Sequence, residues 1–135
     1  MKDRGIAVEE SKTQQFDKFN DLVLVEVKTD AMNTIVAGSV FADGSGRVVL
    51  YDKFRLDIIP DGTFLHFRIM DRPGIIGKVG TILGSHAINI AGFGLSRQTT
   101  GEEAAFVSVD SPIDNEVLAK IRAIDGMIEA VLIRL

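Results

Sequence analysis

The order in which the hydrophobic period changes after residue 62 constrains this chain more than any other feature. Phe64 to Met70 alternates, with Leu65, Phe67 and Ile69 on one side, as a half-buried strand does. Asp71-Arg72-Pro73-Gly74 interrupts it, and Pro73 suits the first turn of a helix, where its missing N–H costs nothing. Ile75, Ile76, Val79, Ile82 and Leu83 then recur at helical spacing until Gly84 and Ser85. Ile88 to Ser96 returns to strand character, residues 98–102 read as a hairpin turn, and Ala104 to Val109 is the partner strand. Asp110-Ser111-Pro112 is placed at the opening of a second helix with the stripe Val117, Leu118, Ile121 and Ile124. Asp125-Gly126 breaks it, and Met127 to Leu135 is the last strand.

Strand, helix, strand, strand, helix, strand is the ferredoxin-like βαββαβ order, an α+β fold with two helices on one face of a four-stranded antiparallel sheet. On the opposite face His66, among Phe64, Arg68 and Met70, points away from the helices and is expected at a surface or an interface. His86 follows the first helix and reads as a charge partner for its C-terminus. Gly77, Gly80 and Gly84 each cost about 1 kcal/mol relative to alanine in a helix, so a closely approaching strand or second subunit is expected to offset them.

Pro60-Asp61-Gly62 divides the chain into residues 1–62 and 63–135. The first part reads as β-rich: a short strand at Ile6–Val8, then Leu22–Lys28 with one face largely buried, Asn33–Phe41, Arg47–Tyr51 and Lys53–Ile59. It has no amphipathic helix to cover its sheet, so it reads as part of a larger domain or as one covered by a partner chain.

Composition removes most enzyme classes. The 135 residues contain no cysteine and two histidines, which excludes thiolate metal sites, iron–sulfur clusters and a cysteine nucleophile, and makes a histidine metal site unexpected. A net charge of -4 leaves no basic footprint for nucleic acid. No apolar run is long enough for a membrane span, and the N-terminus has no signal-peptide pattern, so a cytoplasmic location is expected. Gly92-Phe93-Gly94 lies within a strand, with neither the third glycine nor the following helix of a dinucleotide site.

The segment from Asp71 to Gly84, followed by Ile88-Asn89-Ile90-Ala91, resembles the ACT domain, a regulatory module that commonly binds amino acids. It looks most like the ACT domain of the D-3-phosphoglycerate dehydrogenases of serine biosynthesis. Arg4-Gly5-Ile6 with Val8-Glu9-Glu10, Val27-Lys28-Thr29-Asp30 and Val36-Ala37-Gly38 look like the later part of their allosteric substrate-binding (ASB) domain. The resemblance implies a partial ASB domain over 1–62 and an ACT domain over 63–135, with neither the catalytic nor the nucleotide-binding domain. NAD would then belong to the parent enzyme, and no cofactor to this chain.

Chemically, an amino acid needs partners for an ammonium and a carboxylate. Asp71 offers an anion at a strand end, the backbone N–H groups of Gly74, Ile75 and Ile76 at a helix start can seat a carboxylate, and Asn89 can donate or accept. The resemblance implies that Asp71 and Asn89 are effector ligands between two ACT domains of a homo-oligomer, with L-serine or a related amino acid bound. Family members often carry a third polar ligand two residues before the loop acid; Ile69 occupies that position here, which would weaken serine binding or favour a more apolar effector. Without the resemblance, Asp71 reads equally as a helix cap and Asn89 as a turn residue. Lys53 and Arg55 share one strand face and could hold an anionic ligand bidentately, although a solvated face is the ordinary reading. The alternatives are a ligand-free oligomerisation module, or an ACT-bearing subunit of another amino-acid-metabolising enzyme.

Overall fold

The structure, a computed structural model, describes residues 6–11, 21–97 and 101–135, excluding the side chain of residue 97. Arg4, Asp17 and the hairpin residues 98–100 lie outside the described residues.

Two four-stranded antiparallel sheets fall on either side of Pro60-Asp61-Gly62. The first is a meander of β1 (Leu22–Lys28), β2 (Asn33–Val40), β3 (Gly46–Tyr51) and β4 (Phe54–Ile58), in that spatial order. The second contains β5 (Thr63–Met70), α1 (Ile75–Ser85), β6 (Ile90–Arg97), β7 (Glu102–Val109), α2 (Asn115–Arg122) and β8 (Met127–Arg134), with the sheet ordered β6-β7-β5-β8. This is the expected α+β, ferredoxin-like arrangement. The sequence stripes meet in one core: Leu65, Phe67 and Ile69 of β5 pack with Ile75, Val79 and Leu83 of α1 and Val117, Leu118 and Ile121 of α2.

Both helices start later than expected, each for a local reason. Gly74 is the N-cap of α1 in the left-handed region (φ 93°), so Pro73 precedes the helix and no side chain caps it. In α2, Pro112 lies outside the helix; Asp114 is the N-cap, and its Oδ1 accepts from the N–H of Val117 at 2.8 Å. The end of α1 is a Schellman turn: the N–H of Ile88 donates to the carbonyl of Leu83 and that of Ala87 to Gly84, each at 3.0 Å. Ala87 holds the left-handed position (φ 54°) usually given to glycine.

Several expectations need correcting. Ile6–Val8 forms no strand, and both apolar residues are exposed. Strand β1 is open on both faces: Val23, Val25 and Val27 are exposed on one, Leu24 on the other. A Cβ on Gly77, Gly80 or Gly84 would meet nothing within 4 Å, so among the described residues no strand approaches them. His86 stands at the C-cap of α1, where it was expected. Its Nδ1 lies 2.8 Å from the carbonyl of Ile82 in the last turn of α1, and its Nε2 lies 3.0 Å from Lys120 Nζ of α2.

The face of β5 opposite the helices is an interface between the two sheets. The first sheet packs across it, and His66 has no solvent exposure. Tyr51 of β3 meets the His66 ring edge-on at 4.7 Å, and Ile58 of β4 lies over Gly94. A Cβ at Gly94 would come within 3.3 Å of Ile58, and one at Gly92 within 2.8 Å of Ser108 Oγ. The glycines that fail as a nucleotide motif therefore serve close packing on β6.

Candidate functional site

Strand register decides what the expected ligands can do together. Asp71 continues β5 by donating its N–H to the carbonyl of Gly101 at 2.8 Å, just before β7. Asn89 sits beside Asp110, just after β7, with its N–H 3.2 Å from Asp110 Oδ1 and its carbonyl accepting from the N–H of Asp110 at 3.3 Å. The eight residues of β7 lie between the two positions, roughly 27 Å of strand at about 3.4 Å per residue. Asp71 and Asn89 therefore stand at opposite ends of the same sheet. Within one chain they cannot contact one small molecule together.

At the Asp71 end, three turns converge. Met70 donates to the carbonyl of Gly126 at 2.9 Å, and Arg72 NH1 lies 3.7 Å from Asp125 Oδ2. Gly126 has φ 90°, and a Cβ there would come within 2.6 Å of Ile75 Cδ1, so glycine is required both for conformation and for room. This packing sets the direction in which α1 leaves the sheet. Asp71 and Gly74 are exposed, Ile75 is buried and Ile76 partly so. The first-turn amides of α1 have neither a side-chain cap nor an acidic residue in the first turn, so the positive end of the helix is uncompensated locally. Asp71 is thus not the cap of α1. Ile69 has no exposure and belongs to the helix-facing core, so position 69 presents nothing polar here.

At the other end, the Schellman turn delivers Asn89 to the start of β6. Its side-chain amide donates to Asp110, and this bond, followed by the hydroxyl of Ser111, holds the Asp110 carboxyl below its ordinary value. Asp110 is a partner that sequence reasoning assigned only to a helix opening; its pairing with Asn89 follows from register and has no local sequence signal.

Strand β6 is the sheet edge next to Asn89, with Ile90, Phe93 and Leu95 exposed along it. Lys53 and Arg55 are elsewhere, at the first sheet. Lys53 lies in the turn before β4 with Nζ 3.2 Å from Glu102 Oε2, so an anion there would compete with a carboxylate. Among the described residues no group of His, Asp or Glu could hold a metal ion, and no helix is long and apolar enough to cross a membrane.

Comparison with known proteins matches two successive parts of the chain. The family profile of the D-3-phosphoglycerate dehydrogenase intervening domain matches residues 1–51, and that of the ACT domain matches residues 63–126. The D-3-phosphoglycerate dehydrogenase of Archaeoglobus fulgidus is 32% identical over 98% of this chain, which covers 26% of that protein. Those of Synechocystis and Bacillus subtilis are 28% and 27% identical over 99% of the chain, which covers 24% and 26% of their lengths. The chain thus spans about a quarter of the length of the curated relatives it matches. Neither matched part is a catalytic domain. The chain thus joins part of a D-3-phosphoglycerate dehydrogenase intervening domain to an ACT domain, and is similar over nearly its whole length to D-3-phosphoglycerate dehydrogenases.

Proposed function

We propose that this chain is an amino-acid-responsive regulatory region acting in serine biosynthesis, which binds L-serine or a related small amino acid between two ACT domains of a homo-oligomer. The observation that carries this reading is the placement of Asp71 and Asn89 at opposite ends of one sheet. Antiparallel pairing of β6 with β6 of a second copy sets the start of one strand beside the end of the other. That symmetry brings Asp71 of one subunit toward Asn89 of its partner, twice per dimer. It also covers the exposed apolar edge formed by Ile90, Phe93 and Leu95.

In such a site the Asp71 carboxylate takes the ammonium, and the first-turn amides of Gly74, Ile75 and Ile76 take the carboxylate. Asn89, held by Asp110, answers the side-chain hydroxyl. Because the ligand spans two subunits, it favours the paired arrangement. By linkage, any catalytic domain that senses that arrangement changes amino-acid affinity by the same factor.

Calorimetric titration of the chain with L-serine tests the proposal. Saturable binding is expected, with the heat lost in both Asp71→Ala and Asn89→Ala. Binding that survives both substitutions, or no binding of L-serine, glycine or L-valine by an intact dimer, contradicts it. The latter result supports a ligand-free assembly module, a reading favoured by the burial of Ile69 where a polar ligand would stand.

A further inference from the structure

The two sheets meet at one aromatic contact whose centre is a histidine. The His66 ring stacks on Phe106 of β7 with centroids 4.2 Å apart, and Tyr51 of β3 closes over both at 4.7 and 5.2 Å. His66 Nδ1 lies 3.1 Å from the carbonyl of Ala105, which accepts its proton and leaves Nε2 as the bare nitrogen. Nε2 is buried without a hydrogen-bond partner.

The charged groups around the ring are already committed. Glu129 of β8 pairs with Arg68 of β5 at 3.2 Å, and Asp52, in the turn after Tyr51, accepts from the N–H of Ile35 at 2.9 Å. Lys53 and Glu102 pair with each other farther along the same seam. None of these reaches Nε2. A proton added there would place a charged N–H in an apolar seam with no acceptor, and only separation of Tyr51 from the ring would admit water to it.

We propose that the His66–Tyr51–Phe106 contact is a proton-released joint: a neutral imidazole holds β3 of the first sheet against the ACT sheet, and protonation lets the sheets part. Burial, the dominant influence on His66, lowers its proton affinity in the closed joint below the ordinary imidazole value near 6.5. The open joint therefore binds more protons, so closure is complete above about pH 6.5 and weakens as the pH falls below it. The inference concerns the seam alone and stands or falls without any amino acid bound.

Tyr51 is the single tyrosine of a chain without tryptophan, so tyrosine near-ultraviolet circular dichroism reports this contact directly. On titration of the whole chain from about pH 8 to about pH 5, across the imidazole range, the tyrosine signal should fall while the far-ultraviolet signal persists. His66→Phe should hold the tyrosine signal constant, and His86→Gln should titrate as the parent does. A flat tyrosine signal in the parent, or an unchanged transition in His66→Phe, overturns the proposal. Should His66→Phe not fold, ring-nitrogen NMR of the parent decides. The expected result is a neutral ring with the proton on Nδ1, titrating together with the Tyr51 signal. A ring that titrates freely while Tyr51 stays unmoved overturns the joint.

Discussion

Single residues at the two ends of the ACT sheet do different physical work. Ala87 holds a left-handed turn without being glycine, so Ala87→Gly should raise stability by about 1 kcal/mol, read as a higher denaturant midpoint at an unchanged slope. Gly126 is the opposite case: it has positive φ and a Cβ would overlap Ile75, so Gly126→Ala should cost about 2 kcal/mol or more. It should also disturb the turn that carries Asp71, since the carbonyl of Gly126 receives the N–H of Met70. Asp71 and Asn89 were legible as candidates because their motif resembles that of a known family. Asp110 was not, because its bond to Asn89 joins residues that flank two different strands. His66, expected at a surface or an interface, lies between the two sheets: alternation along β5 shows which side chains face away from the helices, but not that another sheet lies there.

At the scale of elements, the stripes of β5, α1 and α2 were readable because each periodicity matched the face it buries. Their starts were not, since Gly74 and Asp114 cap the helices after Pro73 and Pro112 rather than before them. Asp114→Ala should cost about 1 kcal/mol through loss of the bond to Val117. Strand β1 shows where composition misleads. Its valines read as a buried face, yet it is an edge strand with Val23, Val25 and Val27 exposed. An open apolar edge templates further strand pairing. Val25→Lys should change stability by less than about 0.5 kcal/mol, as exposed positions do, while light scattering shows reduced self-association.

For the whole molecule, the two sheets divide the labour. The helix-backed sheet carries both halves of the proposed ligand site, and the first sheet docks on its other face through Tyr51, Ile58 and Lys53. The two profile matches follow this division, the intervening-domain match reaching into the first sheet and the ACT match falling on the second. What no reading of one chain's sequence reveals is the separation of Asp71 from Asn89. They lie 18 positions apart in the chain, yet the register puts β7 between them.

That separation gives the most direct test. Asp71→Ala and Asn89→Ala chains are each expected to bind no L-serine alone. Mixed under conditions that exchange subunits, half the dimers carry one of each, and each such dimer rebuilds one complete site and one doubly defective one. Calorimetry of the mixture should recover about a quarter of the parental binding sites at parental affinity, as isologous two-fold symmetry requires. No recovery after verified exchange, or binding by either variant alone, contradicts a site shared between subunits.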